Sequence, residues 1–393
     1  MPHRAPSGAS PGETGLGLYV HVPFCRSKCR YCDFCSHVPA PGEMDLYLRA
    51  LETEVRLRES DRPVSTLYIG GGTPSFLGSD RLGVLLQLFR RAFRLERGCE
   101  ITVEANPADV AGDWPAACRA AGVNRLSLGV QGMRDEDLHF LERGHTVAEA
   151  VAAGRRARAA GFDNVGIDLI VGLPAHSPGI TKEILSRAVA AFEPEHVSCY
   201  QLTCAPGTRL HAAVEHGQVR MPDADTEAAI FMATHETCEA LGYEGYEVSN
   251  FARARAFRSR HNSAYWIYRD YIGFGPSAHS FLNPARAWNT ASSAEYAAAL
   301  QRGESPRAGE ERLTPLQQAA EIILLGLRTS DGFSLDDLRS VCGFDPLAEK
   351  GDALSGAASR GLLIRRAGRV VPTLAGMAVA DHLAVELAPD TAG

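Results

Sequence analysis

Six short β-rich runs, each closing on a glycine, a proline or a polar residue and each followed by a segment of helical period, set what this chain can fold into. The runs are "LGLYVHVPF", "STLYIGGGTP", "EITVEANP", "NRLSLGVQ", "NVGIDLIVGLP" and "HVSCYQLT". Between them lie amphipathic stretches such as "EMDLYLRALETEVRLRES", "DRLGVLLQLFRRAF", "TVAEAVAAGRRARAAG" and "ITKEILSRAVAAFE", whose apolar residues recur at helical spacing. Strands that alternate with helices call for parallel strands joined by right-handed crossovers, which leaves a barrel-like or an open doubly wound sheet. Polar residues gather at the C-terminal ends of successive strands, as in a barrel whose loops build one site. A dinucleotide-binding sheet would need GxGxxG at the first strand-to-helix turn, and "PFCRSKC" stands there instead. The sequence therefore predicts an α/β fold, a partial (β/α)6 TIM-like barrel spanning residues 16–290.

The rhythm changes after about residue 290. Residues 291–312 read as a linker. From 313 to 388, "TPLQQAAEIILLGLRTSDGFSLDDLRSVCG" predicts two helices, "GDALSGAASRGLL" a third, "LLIRRAGRVVPT" a hairpin and "LAGMAVADHLAVEL" a last helix. Helices followed by a small hairpin describe a small winged-helix-like α+β domain. Such a module binds nucleic acid or a protein partner, or serves as a lid or packing domain; its mixed charges favour packing. The formal net charge of -7 and the absence of a long basic run exclude nucleic acid and anionic membrane as main partners. Residues 1–15, rich in Pro, Gly and Ser and without an apolar signal region, are expected to be a disordered tail. No apolar run reaches the roughly 20 residues of a membrane helix. A cytoplasmic protein without an integral membrane segment is the expectation.

Chemistry concentrates in "YVHVPFCRSKCRYCDFCSH". Six of the 10 cysteines are scattered singly and read as reduced thiols, whereas Cys25, Cys29, Cys32 and Cys35 crowd the loop after the first strand. Three thiolates spaced CxxxCxxC can hold a four-iron, four-sulfur cluster with one iron left open to a small molecule. The same thiols with His21 or His37 could instead close around a zinc ion.

The spacing, with Tyr19 ahead of it and Tyr31 before the third cysteine, resembles the radical S-adenosylmethionine superfamily. The resemblance implies a [4Fe-4S] cluster on Cys25, Cys29 and Cys32, whose open iron takes the amino and carboxylate groups of S-adenosylmethionine. One electron from the cluster then breaks a carbon–sulfur bond and releases a 5′-deoxyadenosyl radical. In such a site Gly71, Gly72 and Thr73 of "GGGTP" line the methionine amino group, where absent side chains admit a ligand to the backbone. Glu104, Gln131, Arg143 and Asp168, at or just past strand ends, complete the binding set: a carboxylate for ribose hydroxyls, an amide, a guanidinium for the cofactor carboxylate and a second carboxylate. Taken singly, the glycine run reads as a tight turn and each of the four polar residues more readily as a solvated loop residue or a cap.

The ordered series "YVHVPFC", "GGGTPS", "VEANP", "RLSLGVQ", "LERGH", "IDLIVGLP" and "HNSAYW" closely resembles oxygen-independent coproporphyrinogen III oxidases and their relatives, the HemW-type haem chaperones. Three features favour the chaperones. The oxidase pattern CxxxCxxCxC has a fourth cysteine where this chain has Phe34, the oxidases carry a long N-terminal extension, and His261 to Trp266 match HNxxYW. Cys35 fits neither pattern and reads as a bystander thiol, the other reading being a fourth ligand that would close the cluster. The resemblance implies haem as a further ligand, acceptor haem proteins such as respiratory enzymes, and an electron donor for the cluster. It puts haem on His261, Asn262, Tyr265 and Trp266, with His279 as the rival iron ligand, in a shaped surface near the barrel mouth. Coproporphyrinogen oxidation is the competing activity, and a zinc-stabilised binding module is the non-enzymatic alternative. Cleavage of S-adenosylmethionine is left open.

Overall fold

Period-two alternation decides how the first strand is used. In β1 (Leu16–Val22), Leu16, Leu18, Val20 and Val22 are fully buried and share one face, so Gly17, Tyr19 and His21 share the other. The computed structural model describes residues 15–390, and the expected tail, apart from Gly15, lies outside the described residues. β2 (Ser60–Gly71), β3 (Phe93–Ala105), β4 (Arg125–Gln131), β5 (Val165–Val171) and β6 (His196–Gln201) follow, each parallel to its predecessor. The crossovers are α1 (Glu43–Leu57), α2 (Gly78–Ala92), α3 (Trp114–Ala120), the pair α4 (Asp135–Phe140) and α5 (Val147–Ala159), and α6 (Pro178–Phe192). Their apolar stripes cover the outer face of the sheet in one large core that includes Leu51, Leu85, Phe89, Ile101, Val103, Ala153 and Ile184. All six expected βα strands are present.

The sheet then continues past both ends of the parallel run. After β6 come α7 (Arg209–Glu215), α8 (Ala224–Ala240) and two short antiparallel strands, β7 (Glu244–Gly245) and β8 (Asn250–Ala252). α9 (Arg260–Trp266) leads to β9 (Tyr271–Phe274), which pairs parallel with β1. β10 (His279–Leu282), β11 (Ala285–Asn289), α10 (Ser293–Gln301) and β12 (Arg307–Arg312) follow. The strand order is β12-β11-β10-β9-β1-β2-β3-β4-β5-β6-β8-β7, an open mixed sheet. The stretch read as a linker thus contains a helix and an edge strand hydrogen-bonded to β11. Glu54 of α1 ties this extension down: it is fully buried and accepts from Arg58, Gly275 N, Asn289 and Tyr296. That many donors offset the cost of burying a carboxylate.

The C-terminal module comprises α11 (Pro315–Gly326), β13 (Phe333–Ser334), α12 (Leu335–Cys342), α13 (Pro346–Glu349), α14 (Gly351–Ser359), β14 (Leu363–Arg366), β15 (Arg369–Pro372), α15 (Leu374–Ala378) and α16 (Ala380–Leu387). It has a core of its own around Ile323, Leu327, Phe333, Leu338, Phe344 and Leu383, and a small antiparallel sheet ordered β13-β15-β14. The last expected helix divides in two where Val379 leaves helical geometry. Among the described residues no helix is long and apolar enough to cross a membrane.

Candidate functional site

The inward faces of β1 to β6 are polar, and hydrogen bonds arrange them in tiers. Tyr68 Oη donates to Glu104 Oε1 at 2.7 Å, and Gly71 N donates to Glu104 Oε2 at 3.2 Å. Burial, with a contribution from Asp168, raises the Glu104 pKa to about 7. Asp168 accepts from Ser127 Oγ at 3.1 Å, and burial moves its pKa upward as well. Tyr19 Oη lies 3.0 Å from His21 Nδ1, while His21 Nε2 lies 2.7 Å from the Cys35 carbonyl. A carbonyl only accepts, so Nε2 carries the proton and Tyr19 donates to Nδ1. Burial holds the His21 pKa down, consistent with a neutral ring.

The cysteine loop leaves the top of β1 and returns to it. Cys25 N donates to the His37 carbonyl and His37 N to the Pro23 carbonyl, both at 2.9 Å, which pinches the base of the loop around buried Phe24. The "GGG" turn lies against this base, with Gly72 N donating to Val22 O at 2.8 Å and Thr73 N to Phe24 O at 2.7 Å. A Cβ on Gly72 would come within 2.7 Å of Phe24 O and 3.0 Å of Cys25 Sγ. Gly71 has φ +108°, and a Cβ there would meet His21 Nδ1 at 2.7 Å. The glycines are therefore required by close approach and by a positive φ.

Two sulfurs already accept hydrogen bonds from the residues expected around a cofactor. Thr73 Oγ1 donates to Cys25 Sγ at 3.3 Å, and Arg143 Nη1 donates to Cys29 Sγ at 3.4 Å. Arg143 Nη2 also donates to Gly129 O at 3.1 Å, and Tyr31 lies against the same guanidinium, its phenol pKa raised by burial. Cys25, Cys29 and Cys32 are half-buried free thiols. Cys35 turns elsewhere, its Sγ donating to Ala291 O at 3.2 Å on the sheet extension. Among the expected cofactor residues, Gln131 Oε1 and Arg143 Nε are buried without a hydrogen-bond partner, and Gln131 itself sits at φ +65°. Orphaned buried donors and acceptors beside a glycine cradle suit a ligand that brings its own polar groups. The strand tops thus fit a sulfur-bound cluster together with a zwitterionic, hydroxyl-bearing cofactor.

The structure gathers Tyr19, Tyr31, Gly71, Gly72, Thr73, Glu104, Gln131, Arg143 and Asp168 along the lumen and its upper rim. Tyr68, Ser127 and Ser198 belong to the same polar face and were not singled out from the sequence, and His21, read there only as a possible zinc ligand, joins them. Their signal was the alternate polar positions within strands such as "TLYIG", "RLSLGV" and "HVSCY".

His261, Asn262, Tyr265 and Trp266 are placed differently. They form helix α9, which closes the opposite end of the strands instead of shaping a surface at the mouth. Its first N–H groups, those of Arg260 and His261, donate to the Glu100 carboxylate at 3.2 and 3.1 Å, at the start of the paired run of β3. His261 is buried, with Nδ1 2.8 Å from Thr66 Oγ1 and Nε2 2.8 Å from Tyr265 Oη, and its ring stacks on Tyr68. Burial brings its pKa down to about 3. Its ring lies 6.4 Å from that of Tyr19, whose hydroxyl reaches His21 beneath the cysteine loop. Asn262, Tyr265 and Trp266 are half-buried, and His279 is exposed on β10.

Comparison with known proteins follows this geometry. Residues 19–188 match the Radical SAM superfamily and residues 313–379 match the HemN C-terminal domain. The chain is 38% identical over 342 residues to the "Heme chaperone HemW" of Mycobacterium tuberculosis, covering 85% of this chain and 86% of that protein. It is 39% identical over 271 residues to the "Heme chaperone HemW" of Escherichia coli, covering 67% and 69%. The mitochondrial "Radical S-adenosyl methionine domain-containing protein 1" of Bos taurus is 34% identical over 340 residues, covering 84% and 76%. Among solved structures, coproporphyrinogen III oxidase HemN from Escherichia coli, a radical SAM enzyme, superposes with a TM-score of 0.81 at 25% identity, covering 96% of this chain and 91% of that one.

Proposed function

Because the chain belongs to the HemW family of the radical S-adenosylmethionine superfamily, we propose that it is a haem chaperone, binding haem and passing it to acceptor haem proteins such as respiratory enzymes. The [4Fe-4S] cluster and S-adenosylmethionine come with superfamily membership. Cys25, Cys29 and Cys32 would hold the cluster, leaving one iron to the cofactor, for which it supplies one-electron chemistry when bound. Arg143, already against Cys29, offers its guanidinium to the cofactor carboxylate. Glu104 faces the ribose hydroxyls, with Tyr68 and Gly71 N fixing the carboxylate plane. Gly71, Gly72 and Thr73 bring backbone to the methionine amino group, and Tyr19, Tyr31, Gln131 and Asp168 fill the remaining wall. Haem lies on the inward face of the sheet extension, with Tyr265 and Trp266 of α9 beneath it and His261 and Asn262 holding that helix in place. An electron donor serves the cluster, and the protein works in the cytoplasm.

The observation that carries the chaperone reading is Phe34. It stands where the oxidase pattern has its fourth cysteine, and its side chain is 62% exposed on the rim of the loop, contributing no sulfur. The decisive experiment uses anaerobically reconstituted protein in two arms. One arm titrates haem and then adds a haem-depleted acceptor; the other supplies coproporphyrinogen III, S-adenosylmethionine and a reductant. Haem binding with transfer, and no decarboxylation, is expected. Conversion to protoporphyrinogen IX would establish the oxidase instead, the activity towards which the fold likeness to HemN points.

A further inference from the structure

If the chain binds haem as proposed above, some side chain must offer a lone pair to the iron, and the fold narrows the choice. Of the described histidines, only His139 and His279 have no hydrogen-bond or ion-pair partner. His261 has both ring nitrogens engaged within the floor of the barrel. His139 stands on the outside of the short helix α4, without an aromatic neighbour. His279 is exposed, yet its ring is held against the indole of Trp288, with centroids 5.9 Å apart and planes 25° from parallel.

Strand pairing places that imidazole on the cofactor's side of the sheet. Tyr19 pairs with Gly273, Tyr271 with Phe281, His279 with Trp288, and Trp288 with Gly309. Paired residues share a face and residues two apart along a strand return to it, so Tyr19, His279 and Trp288 all point inward. His279 lies two strands from Tyr19, roughly 10 Å along the sheet. Two glycines keep this face open. A Cβ on Gly273 would fall 2.1 Å from His279 O, and one on Gly309 would fall 2.3 Å from the Trp288 ring, so Trp288 lies flat on bare backbone.

We infer that His279 supplies the protein ligand to haem iron, with Trp288 fixing the plane of its ring, and that His261 serves the fold. A free imidazole nitrogen donates its lone pair to the iron without displacing any protein partner, whereas His261 would first have to give up Tyr265 or Thr66. Burial on one side, with the nearby Arg286 charge, lowers the His279 pKa and keeps the ring neutral and able to ligate.

The test is an anaerobic haemin titration followed in the Soret band, on the full chain and on His279→Ala, Trp288→Ala and His261→Gln. His279→Ala is expected to weaken haem at least about tenfold and shift the Soret maximum, with added imidazole restoring the band. Trp288→Ala should weaken binding by a smaller factor. His261→Gln, whose amide can still reach both former partners, should titrate like the parent. A parent-like affinity and Soret position in His279→Ala overturns the assignment while leaving the haem reading intact. Failure of the parent chain itself to bind haem overturns the haem reading, and this inference with it.

Discussion

Glu104 is the residue at which burial most directly sets chemistry. Its pKa is raised to about 7, chiefly by loss of water, with Asp168 adding to the shift. A carboxyl raised in the folded state stabilises the fold fully below its unfolded pKa, and that contribution is lost as pH rises through the folded value. For Glu104 the window runs from 4.5 to about 7. Glu104→Gln keeps an acceptor for Tyr68 and removes the titration. The melting temperature of the ligand-free variant should therefore gain on the parent between about pH 5 and about pH 8, and an unchanging difference would mean that the carboxylate is solvated. Arg143→Ala and Glu104→Gln should each weaken S-adenosylmethionine by about tenfold to a hundredfold in calorimetry, the loss of one charge-assisted hydrogen bond, without loss of cluster absorbance. Cys35→Ala should likewise keep the absorbance that Cys25→Ala abolishes. A Cys35→Ala protein that folds but lacks the cluster would make Cys35 a ligand. The cysteines were legible because ligand spacing along one loop is local. Tyr68, Ser127 and Ser198 were not singled out, because attention to strand ends passes over polar residues within strand bodies that face a shared lumen.

At the scale of elements, α9 is the part the sequence placed wrongly, and the reason is physical. Seven residues carry too little periodicity to show an apolar stripe, and density in Gly and aromatics suggested a surface. What buries the helix is a set of polar partners distant in sequence: Glu100 for its first N–H groups and Thr66 for His261. β12 escaped notice for a related reason. "RAGEER" has no apolar alternation and becomes a strand only because β11 offers a free edge, with the charges suiting its exposure. His261→Ala should destabilise the protein by about 1–3 kcal/mol at neutral pH, the cost of leaving buried hydroxyls without a partner. With a folded pKa of about 3 against 6.5, His261 contributes stability that is full above 6.5 and is lost as pH falls. The deficit of His261→Ala should therefore shrink between about pH 7 and about pH 5 in urea unfolding. A deficit that grows on acidification would contradict the sealed, neutral imidazole.

The whole molecule separates its tasks along the strand axis. The cysteine loop and the cofactor wall occupy the C-terminal ends of the strands, α9 closes the other end, and the C-terminal module braces the floor and the sheet extension. The order of elements in the module could be read in advance because each forms from contiguous sequence. Its docking could not, since it depends on pairs such as Val248 N to Arg328 O, Ser330 N to Tyr246 O and Leu313 N to Pro284 O. Glu321 of α11 is the side chain through which the module reaches the extension. It accepts from Tyr268 Oη at 3.0 Å and pairs with Arg286 of β11, which also pairs with Glu311 of β12. Arg286 is 39% exposed, so water screens much of that charge pair, and the loss on Glu321→Ala should be about 1 kcal/mol, a few degrees in melting temperature. Consequences for function should be uneven. β10 and β11 carry His279 and Trp288, so loosening their brace should weaken haem by a few-fold. The ligand cysteines are held by β1, the glycine turn and Arg143, none of which touches Glu321, and only Cys35, through Ala291 O, reaches the extension, so iron–sulfur absorbance and S-adenosylmethionine affinity should not move. Haem titration and cluster absorbance measured on the same Glu321→Ala sample decide the matter. A parallel fall in both would show that the two ends respond as one cooperative unit, and that the module supports the entire barrel and not its haem-facing edge.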